Sequence, residues 1–234
     1  MGRLFALGDL HLSTLGDKPM GVFGEPWREH TRRMAEAWDD TVRDGDTILL
    51  AGDLSWAKTL DEAAGDLAWI AARPGHKILL RGNHDSWWSS IAKVRARLPP
   101  GCVALHHDSR EIDGRTVVVG SRGWLAPGDP AATPEDARVF LRELERLRMS
   151  IADADRRFGR ARPRVGLLHY PPWLEGSEPT EVVAVLREAE VEHVVYGHLH
   201  GDDHRLAVRG EREGAWYHFV AADAVEFTPV PIPC

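Results

Sequence analysis

Apolar and polar positions along the chain predict strands and helices that follow one another. Short apolar runs are typical of strands buried on both faces, whereas apolar positions three or four residues apart are typical of amphipathic helices. The apolar runs predict strands at Leu4–Leu7, Thr47–Ala51, Lys77–Leu80, Arg164–Leu168 and His193–Tyr196. Helical spacing predicts helices at Trp27–Arg43, Asp61–Ala72, Ser89–Leu98, Pro134–Phe158 and Thr180–Ala189. This alternation is typical of α/β proteins with parallel strands.

The middle and the end of the chain have a different pattern. Short β-rich runs lie at Val103–Leu105, Arg110–Ile112 and Thr116–Gly120, and the Asp-Gly dipeptide between the last two predicts a hairpin. Two further β-rich runs, His204–Val208 and Ala215–Ala221, follow the last helix and strand of the second half. We therefore expect an α/β fold with two facing mixed β-sheets flanked by helices, as a four-layer α/β sandwich.

Length and composition are those of an ordinary globular protein. The 234 residues show no repeat or linker, so we expect a single domain over residues 1–234. No apolar stretch reaches the about 18 residues of a membrane helix, and strand residues begin too close to Met1 for a signal peptide. The two cysteines, Cys102 and Cys234, form no CxxC pair and suit a reducing compartment. We expect a cytoplasmic protein with no membrane partner.

Each of the five predicted strands runs into residues that can bind metal ions. These clusters are Gly8-Asp9-Leu10-His11, Gly52-Asp53, Gly82-Asn83-His84-Asp85, His169 and Gly197-His198-Leu199-His200. Ligands bind outside the carboxyl ends of parallel strands, so the sheet would bring the clusters to one place. Carboxylate, imidazole and amide oxygen suit Mn, Fe or Zn, and the absence of thiolate argues against a structural zinc site. The glycines are expected to let the backbone turn sharply beside the metals.

The ordered clusters resemble the signature of the calcineurin-like metallophosphoesterase superfamily, in its small bacterial type. All five blocks are present in order between Asp9 and His200, with no ligand substituted. The resemblance implies two divalent metal ions. One would be held by Asp9, His11, Asp53 and His200, and the other by Asp53, Asn83, His169 and His198. The resemblance also implies that His84 is a non-ligand histidine beside the phosphoryl group, and we expect Asp85 to orient it.

Such a site predicts the hydrolysis of a small phosphorylated substrate, either a phosphomonoester or a phosphodiester. Two metals about 3.5–4 Å apart would bind phosphate oxygens and acidify a bridging water, while His84 assists the leaving group. A nuclease of the same fold is an alternative, although the net charge of −7 argues against a broad nucleic-acid surface. A non-catalytic protein-binding scaffold is a second alternative. Such relatives usually lose ligands or the catalytic histidine, whereas Asp9, Asn83 and His84 are present here.

The chain contains nine tryptophans, and several of them follow the metal motifs. Trp56, Trp87 and Trp173 come within a few residues of a motif, and Trp124 follows the β-rich run Thr116–Gly120. These indoles are expected either to form an aromatic rim that contacts the substrate or to pack beneath the active-site loops. The sequence leaves both alternatives open.

Four other features each have more than one interpretation. Arg122 would either clamp a phosphate or leaving group or form an ion pair with an acid. The segment Lys18–Glu25, with Asp17 before it, would be either a lid or a connection. The apolar tail Val225–Pro233 would either cover a sheet edge or join a homodimer. Among the histidines outside the motifs, His204 is nearest to a motif and is the first candidate for a site role, while structural or surface roles are expected for the rest.

Overall fold

Two mixed β-sheets form the centre of the fold in a computed structural model, which describes residues 2–15, 18–126 and 128–233. Asp17 and Cys234 lie outside the described residues. The strands are β1 (Leu4–Leu7), β2 (Thr47–Leu50), β3 (His76–Leu79), β4 (Cys102–Ala104), β5 (Arg110–Ile112), β6 (Thr116–Ser121), β7 (Arg164–Leu168), β8 (His193–Tyr196), β9 (Gly210–Arg212), β10 (Ala215–Phe219) and β11 (Val230–Ile232). One sheet has the order β11-β1-β2-β3-β4, and the other has the order β5-β6-β7-β8-β10-β9.

The inner strands of each sheet are parallel and antiparallel strands lie at the edges. In the first sheet β1 to β4 are parallel, and β11 pairs antiparallel with β1 through Leu4 and Ile232. In the second sheet β6, β7, β8 and β10 are parallel, while β5 and β9 are antiparallel edge strands. The expected mixed sheets are therefore confirmed. The tail Val225–Pro233 covers a sheet edge, which is one of its two expected roles.

Within the described residues, five α-helices cover the outer faces of the two sheets. They are α1 (His30–Thr41), α2 (Ala64–Ala71), α3 (Ile91–Arg97), α4 (Pro134–Phe158) and α5 (Glu181–Glu188). Side chains alternate along each strand, so that Leu4 and Ala6 of β1 pack between the sheets while Phe5 and Leu7 pack beneath α1 to α3. The second sheet packs in the same way against α4 and α5. Burial on both faces explains why the parallel strands consist of continuous apolar runs.

Most predicted elements are present, with shifted ends. Helix α4 has the predicted bounds because Thr133 and Asp136 form a capping box around Pro134 at its start. Helix α1 begins three residues later than predicted because Glu29 has a left-handed backbone, with φ of 51°. The predicted β-rich run His204–Val208 is wrong. A 3₁₀ helix occupies residues 201–206, where Gly201 has φ of 55°, and the strand lies later, as β9.

The two sheets meet at the carboxyl ends of their strands. Gly8, directly after β1, forms a parallel bridge with Ala221, which closely follows β10. The Gly8 amide donates to Val220 O at 2.8 Å, and the Ala222 amide donates to Gly8 O at 3.0 Å. The loops that follow the parallel strands of both sheets are therefore brought to one place. Within the described ranges, none of the helices has both the length and the apolar character needed to cross a membrane.

Candidate metal centre

Backbone hydrogen bonds continue from the sheets into the loops that carry the predicted metal ligands. The Asp9 amide donates to Gly52 O and the His11 amide to Asp53 O, each at 2.9 Å. The Gly197 amide donates to His169 O at 3.1 Å. These bonds connect the loop after β1 with that after β2, and the loop after β7 with that after β8, and so they position the ligand side chains.

Four of the predicted ligands have left-handed backbone conformations. The φ angles are 57° for Asp9, 45° for His11, 52° for Asp53 and 77° for His198. Such conformations cost about 1–3 kcal/mol for residues other than glycine and persist only where the surroundings enforce them. Here they turn the side chains of successive strand ends toward a common centre.

The glycines of the motifs have two different roles. Gly52 has φ of +88°, as the expected sharp turn requires. Gly82 and Gly197 instead provide space: a Cβ atom on Gly82 would lie 2.0 Å from Asp53 Oδ1, and one on Gly197 would lie 2.0 Å from Asp9 Oδ2. The prediction that all these glycines allow turns is therefore corrected for these two, which let neighbouring loops approach the carboxylates.

Asp9, His11 and His200 form one group of potential ligands. Their donor atoms all lie within 4.8 Å of one another. The Nε2 atoms of His11 and His200 are 3.3 Å apart, and His200 Nε2 is 3.5 Å from Asp9 Oδ1. Two imidazoles and one carboxylate converging in this way form a set that can bind a divalent cation.

Asn83, His169 and His198 form a second group, with Asp53 between the two. Asn83 Oδ1 lies 2.7 Å from His169 Nε2 and 3.1 Å from His198 Nδ1. Asp53 Oδ2 lies 3.5 Å from His169 Nε2 and 3.9 Å from His11 Nε2, so it reaches both groups. His169 Nδ1 lies 2.8 Å from Ala51 O, which orients Nε2 toward the centre.

The electrostatics of the centre fit a bound cation. Asp9 and Asp53 are buried, and among the described residues their ion pairs are with histidines rather than with lysine or arginine. Burial, and then the nearby Asp85 and Asp9, raise the pKa of Asp53 well above its usual value. Burial lowers the pKa values of His169 and His198 to about 3, which keeps these imidazoles in the neutral, metal-binding form. Buried carboxylates in such surroundings are stabilised by a metal ion.

Asp223 is a residue of this centre that the sequence analysis missed. Its Oδ1 lies 2.8 Å from His200 Nδ1, and its Oδ2 accepts from the Gly201 amide at 3.2 Å and lies 3.0 Å from His204 Nε2. Burial alone would lower the pKa of His200, but hydrogen bonds with Asp223 and Asp9 raise it to about 10. Asp223 follows the carboxyl end of β10, so extending the strand-end rule to the run Ala215–Ala221 would have found it. His204 joins this cluster, as its proximity to the motif suggested.

His84 lies at the edge of the centre and is exposed. Its backbone amide donates to Asp53 Oδ1 at 2.8 Å, while its ring lies 4.5 Å from that of Trp56 and 5.7 Å from that of His11. Partial burial, and then the charge of Lys18, lower the pKa of His84. No hydrogen bond to the His84 ring is formed within the described ranges, so the ring is available to a ligand.

Asp85 has different partners from the one expected. Its Oδ1 accepts from the amides of Leu54 and Ser55 at 2.9 and 3.1 Å and from Trp87 Nε1 at 2.9 Å. Its Oδ2 accepts from the Gly82 amide at 2.7 Å. The expectation that Asp85 orients His84 is therefore corrected: this buried carboxylate ties the loop after β2 to the loop after β3.

Trp56 is the predicted tryptophan that lies against the centre. Its ring stacks on His11 with centroids 4.9 Å apart and an interplanar angle of 22°. Its Nε1 lies 3.0 Å from Met20 Sδ, and Lys18 Nζ lies 3.9 Å from its ring centroid. The segment Lys18–Glu25 is thus anchored on Trp56 at its start and contains a 3₁₀ helix at residues 20–23.

The other three tryptophans differ in burial. Trp87 and Trp173 are buried in the two helix-facing cores, which supports the packing alternative for both and corrects the rim alternative for Trp87. Trp124 is half-buried, and its Nε1 donates to Asp136 Oδ1 at 2.7 Å.

Arg122 forms an ion pair with Glu143 at 3.4 Å, and its guanidinium lies 4.4 Å from the Trp124 ring centroid. Of the two roles expected for Arg122, the structure therefore shows a partner for the ion pair.

Two further aromatic residues contact the ligand histidines. The Trp27 ring lies 5.6 Å from the rings of both His11 and His200 and is buried. The Tyr170 ring lies 3.9 Å from that of His198. Tyr170 follows His169 directly in the sequence, whereas nothing in the sequence pattern connects Trp27 with this centre.

The chain matches part of two phage proteins. It is 34% identical over 85 residues to the Gene 66 protein of Mycobacterium phage L5 and 39% identical over 85 residues to that of Mycobacterium phage D29. Each match covers 36% of this chain and 41% of the phage protein. The chain therefore spans less than half the length of these relatives.

Solved structures resemble this fold over nearly its whole length. A protein of Thermus thermophilus has a TM-score of 0.58 at 16% identity, with 99% of both chains covered. Phosphopantetheinyl hydrolase from Mycobacterium tuberculosis has a TM-score of 0.56 at 17% identity, with 99% of this chain and 95% of that chain covered. At this level of identity the similarity concerns the fold alone.

A family model places the chain among known proteins. The model for calcineurin-like phosphoesterases matches residues 2–202, which include all the predicted metal ligands. The residue clusters described above are able to bind metal. By its sequence and by the arrangement of its strand-end ligands, the chain belongs to the calcineurin-like phosphoesterase family.

Proposed function

We propose that this protein hydrolyses a phosphomonoester or a phosphodiester at a centre of two divalent cations, Mn, Fe or Zn. The observation that carries the proposal is the position of Asp53 between two groups of donor atoms, 3.9 Å from His11 Nε2 and 3.5 Å from His169 Nε2. One cation would be held by Asp9, His11, Asp53 and His200, and the other by Asp53, Asn83, His169 and His198. When bound, the cations would neutralise phosphate oxygens and lower the pKa of a water molecule.

The protein side chains would hold and complete this centre. Asp223 and Ala51 O orient two of the imidazoles, and the indole of Trp56 lies against His11. The exposed His84 ring would protonate the leaving oxygen as the bond to phosphorus breaks. A bound phosphate ester would itself supply negative charge that favours the protonated form of His84.

The test compares three variants of the full chain loaded with Mn²⁺, with p-nitrophenyl phosphate and bis-p-nitrophenyl phosphate as substrates. His84→Ala is expected to lower kcat about 10²-fold or more, since general acids contribute about 10²–10⁴-fold. Its metal content, measured by mass spectrometry, should remain that of the wild type. Asp53→Asn should reduce the content of both ions. The control, His76→Ala, changes an exposed histidine at the start of β3 and should leave kcat and metal content unchanged.

Three outcomes would change the proposal. Equal kcat for His84→Ala and the wild type would overturn the role of His84. Bound metal without hydrolysis of any phosphate ester, including single-stranded DNA and RNA, would overturn the enzymatic function and favour the scaffold alternative. Hydrolysis of nucleic acid but not of the small phosphate esters would overturn the small substrate and favour the nuclease alternative.

A further inference from the structure

A pocket of about 260 Å³ opens beside the second group of ligands. His198 forms part of its wall, and Tyr170, which lies 3.9 Å from the His198 ring, forms the adjoining part. The loops after β6 and β7 and the 3₁₀ helix at residues 201–206 form the other walls. Because one wall is a proposed metal ligand, an ester held at the centre would lie beside the mouth of this pocket.

The walls of this pocket are mostly apolar. They include Trp124, Leu125, Trp173 and Leu206, which offer aromatic and branched surfaces. The charged side chains among the described lining residues are the carboxylates of Asp129 and Asp203, and no lysine or arginine accompanies them. An apolar pocket with an acidic rim binds an uncharged ring or branched chain and disfavours an anionic group.

The pocket lies away from the side on which the leaving group departs. His84 contacts the rings of Trp56 and His11, and neither of these lines this pocket. Trp56 lines a different pocket of about 260 Å³, together with Lys18 and Lys58. In an in-line displacement the leaving oxygen departs opposite the nucleophile, while the other substituents stay on phosphorus. The pocket beside His198 is therefore placed to receive a substituent that is retained.

We propose that the substrate is a phosphodiester whose retained arm, an uncharged aromatic or branched apolar group, binds in this pocket; this inference rests on the proposed function. In the reaction the oxygen of water forms a bond to phosphorus, and the bond from phosphorus to the leaving oxygen breaks with its electron pair. The leaving oxygen takes a proton, and the second proton of water passes to solvent. The products are an alcohol and a phosphomonoester that keeps the apolar arm.

The first test keeps one leaving group and varies the retained arm. The Mn²⁺-loaded full chain is assayed with p-nitrophenyl phosphate and with the methyl, phenyl and 4-carboxyphenyl diesters of p-nitrophenyl phosphate. The phenyl diester should have a kcat/KM at least about tenfold above that of the methyl diester, a discrimination that one methylene group already gives in an apolar pocket. The 4-carboxyphenyl diester should fall below the phenyl diester because of Asp129 and Asp203.

A variant tests whether the preference for the phenyl diester over the methyl diester arises in the pocket. Leu125→Asp places a carboxylate on the half-buried wall, and the ratio of kcat/KM for the phenyl and methyl diesters should fall to about one. The matched control is Leu141→Asp on α4, where the side chain is 58% exposed, and its ratio should equal that of the wild type. Calorimetric titration of the loaded protein with phenyl phosphate and methyl phosphate gives a readout that is independent of turnover. Phenyl phosphate should bind more tightly to the wild type, and this preference should disappear in Leu125→Asp.

The outcomes separate this inference from the proposed function. Equal kcat/KM for the phenyl and methyl diesters in the wild type, or an unchanged ratio in Leu125→Asp, would overturn the pocket assignment while leaving phosphoester hydrolysis in place. Faster hydrolysis of p-nitrophenyl phosphate than of every diester would overturn the diester assignment. Failure of the loaded protein to hydrolyse any of these esters would overturn the proposed function itself.

Discussion

At the scale of single residues, the proposed metal centre depends on the predicted ligands and also on the side chains that position them. Asp223 is such a residue, since it lies 2.8 Å from His200 Nδ1 and also accepts from the Gly201 amide. A carboxylate behind a ligand imidazole sets its orientation and increases its basicity. Asp223 therefore belongs to the centre as a positioning residue, although it lies 23 residues after His200.

We predict that Asp223→Asn weakens metal binding about 10- to 100-fold, the usual effect of removing such a partner. The measurement is a calorimetric titration of the metal-free protein with Mn²⁺. Asp202→Asn, which changes an exposed acid of the 3₁₀ helix at residues 201–206, is the control and should bind Mn²⁺ as the wild type does. Wild-type affinity in Asp223→Asn would show that His200 is positioned without it.

The hydrogen bonds of Asp85 connect two loops and do not involve the His84 ring. Its two oxygens accept four hydrogen bonds from the loops after β2 and β3, and the residue is buried. We predict that Asp85→Asn lowers the free energy of unfolding by about 2–3 kcal/mol, because the amide group has one acceptor oxygen in place of two and faces N–H donors. Urea denaturation of the metal-free protein measures this change.

Asp40→Asn, at an exposed position of α1, is the control for Asp85→Asn and should unfold as the wild type does. A variant with unchanged stability but a large loss of kcat would instead support the role behind His84 that the sequence analysis assigned to Asp85.

At the scale of elements, the close approach of the strand-end loops decides which residues each loop tolerates. The loop after β3 passes so near the loop after β2 that a Cβ atom on Gly82 would lie 2.0 Å from Asp53 Oδ1 and 2.2 Å from the Asp53 amide nitrogen. A contact this short forces one of the two loops to move. Asp53, which lies between the two groups of ligands, would move with its loop.

We predict that Gly82→Ala lowers the proposed phosphoesterase activity about 100-fold, since a displacement of about 1 Å at a reacting centre can have this effect. The metal content should fall as well. Gly45→Ala is the matched control, because a Cβ atom on Gly45 would meet nothing within 4 Å. Retention of both ions and of full activity in Gly82→Ala would show that the loops can separate without harm to the centre.

At the scale of the whole molecule, the two sheets are held together by an apolar layer and by the polar loops at their carboxyl ends. Outside the proposed metal centre, two half-buried histidines lie next to each other within the second sheet. His193 Nδ1 and His218 Nε2 lie 3.0 Å apart on β8 and β10. Burial, and then the proximity of His193, lower the pKa of His218 to about 4, and burial lowers the pKa of His193.

These shifts predict a loss of stability in acid. The unfolded chain takes up a proton at His218 as the pH falls through about 6.5, whereas the folded protein takes it up only near pH 4. The contribution of His218 to the free energy of unfolding is therefore complete above pH 6.5 and is lost as the pH falls from 6.5 to 4. We predict that His218→Gln reduces the slope of unfolding free energy against pH in this window. The exposed His76→Gln is the control, and denaturation curves of metal-free protein at several pH values provide the measurement. An equal slope in His218→Gln and the wild type would contradict the prediction.

The sequence predicted the strands well because strands that are buried on both faces consist of continuous apolar runs. It predicted helix ends and the region after His200 less well, because these depend on single backbone conformations such as that of Glu29 and on contacts between distant residues. The run His204–Val208 has β-rich composition but follows Gly201, whose amide donates to Asp223, and the chain turns there instead of extending.

By itself the sequence determined the fold class, the family and the residue types that converge, because strand-end ligands in a parallel sheet share one edge. Only the tertiary structure decided which contacts each of these residues makes. In the structure Asp53 lies between two groups of predicted ligands, and Asp85 bonds to the loops after β2 and β3. Asp223 lies next to His200. The structure also separated the buried Trp87 and Trp173 from Trp56, which lies against His11. These distinctions depend on distances of a few ångströms between residues far apart in the chain, and a linear sequence does not encode such distances locally.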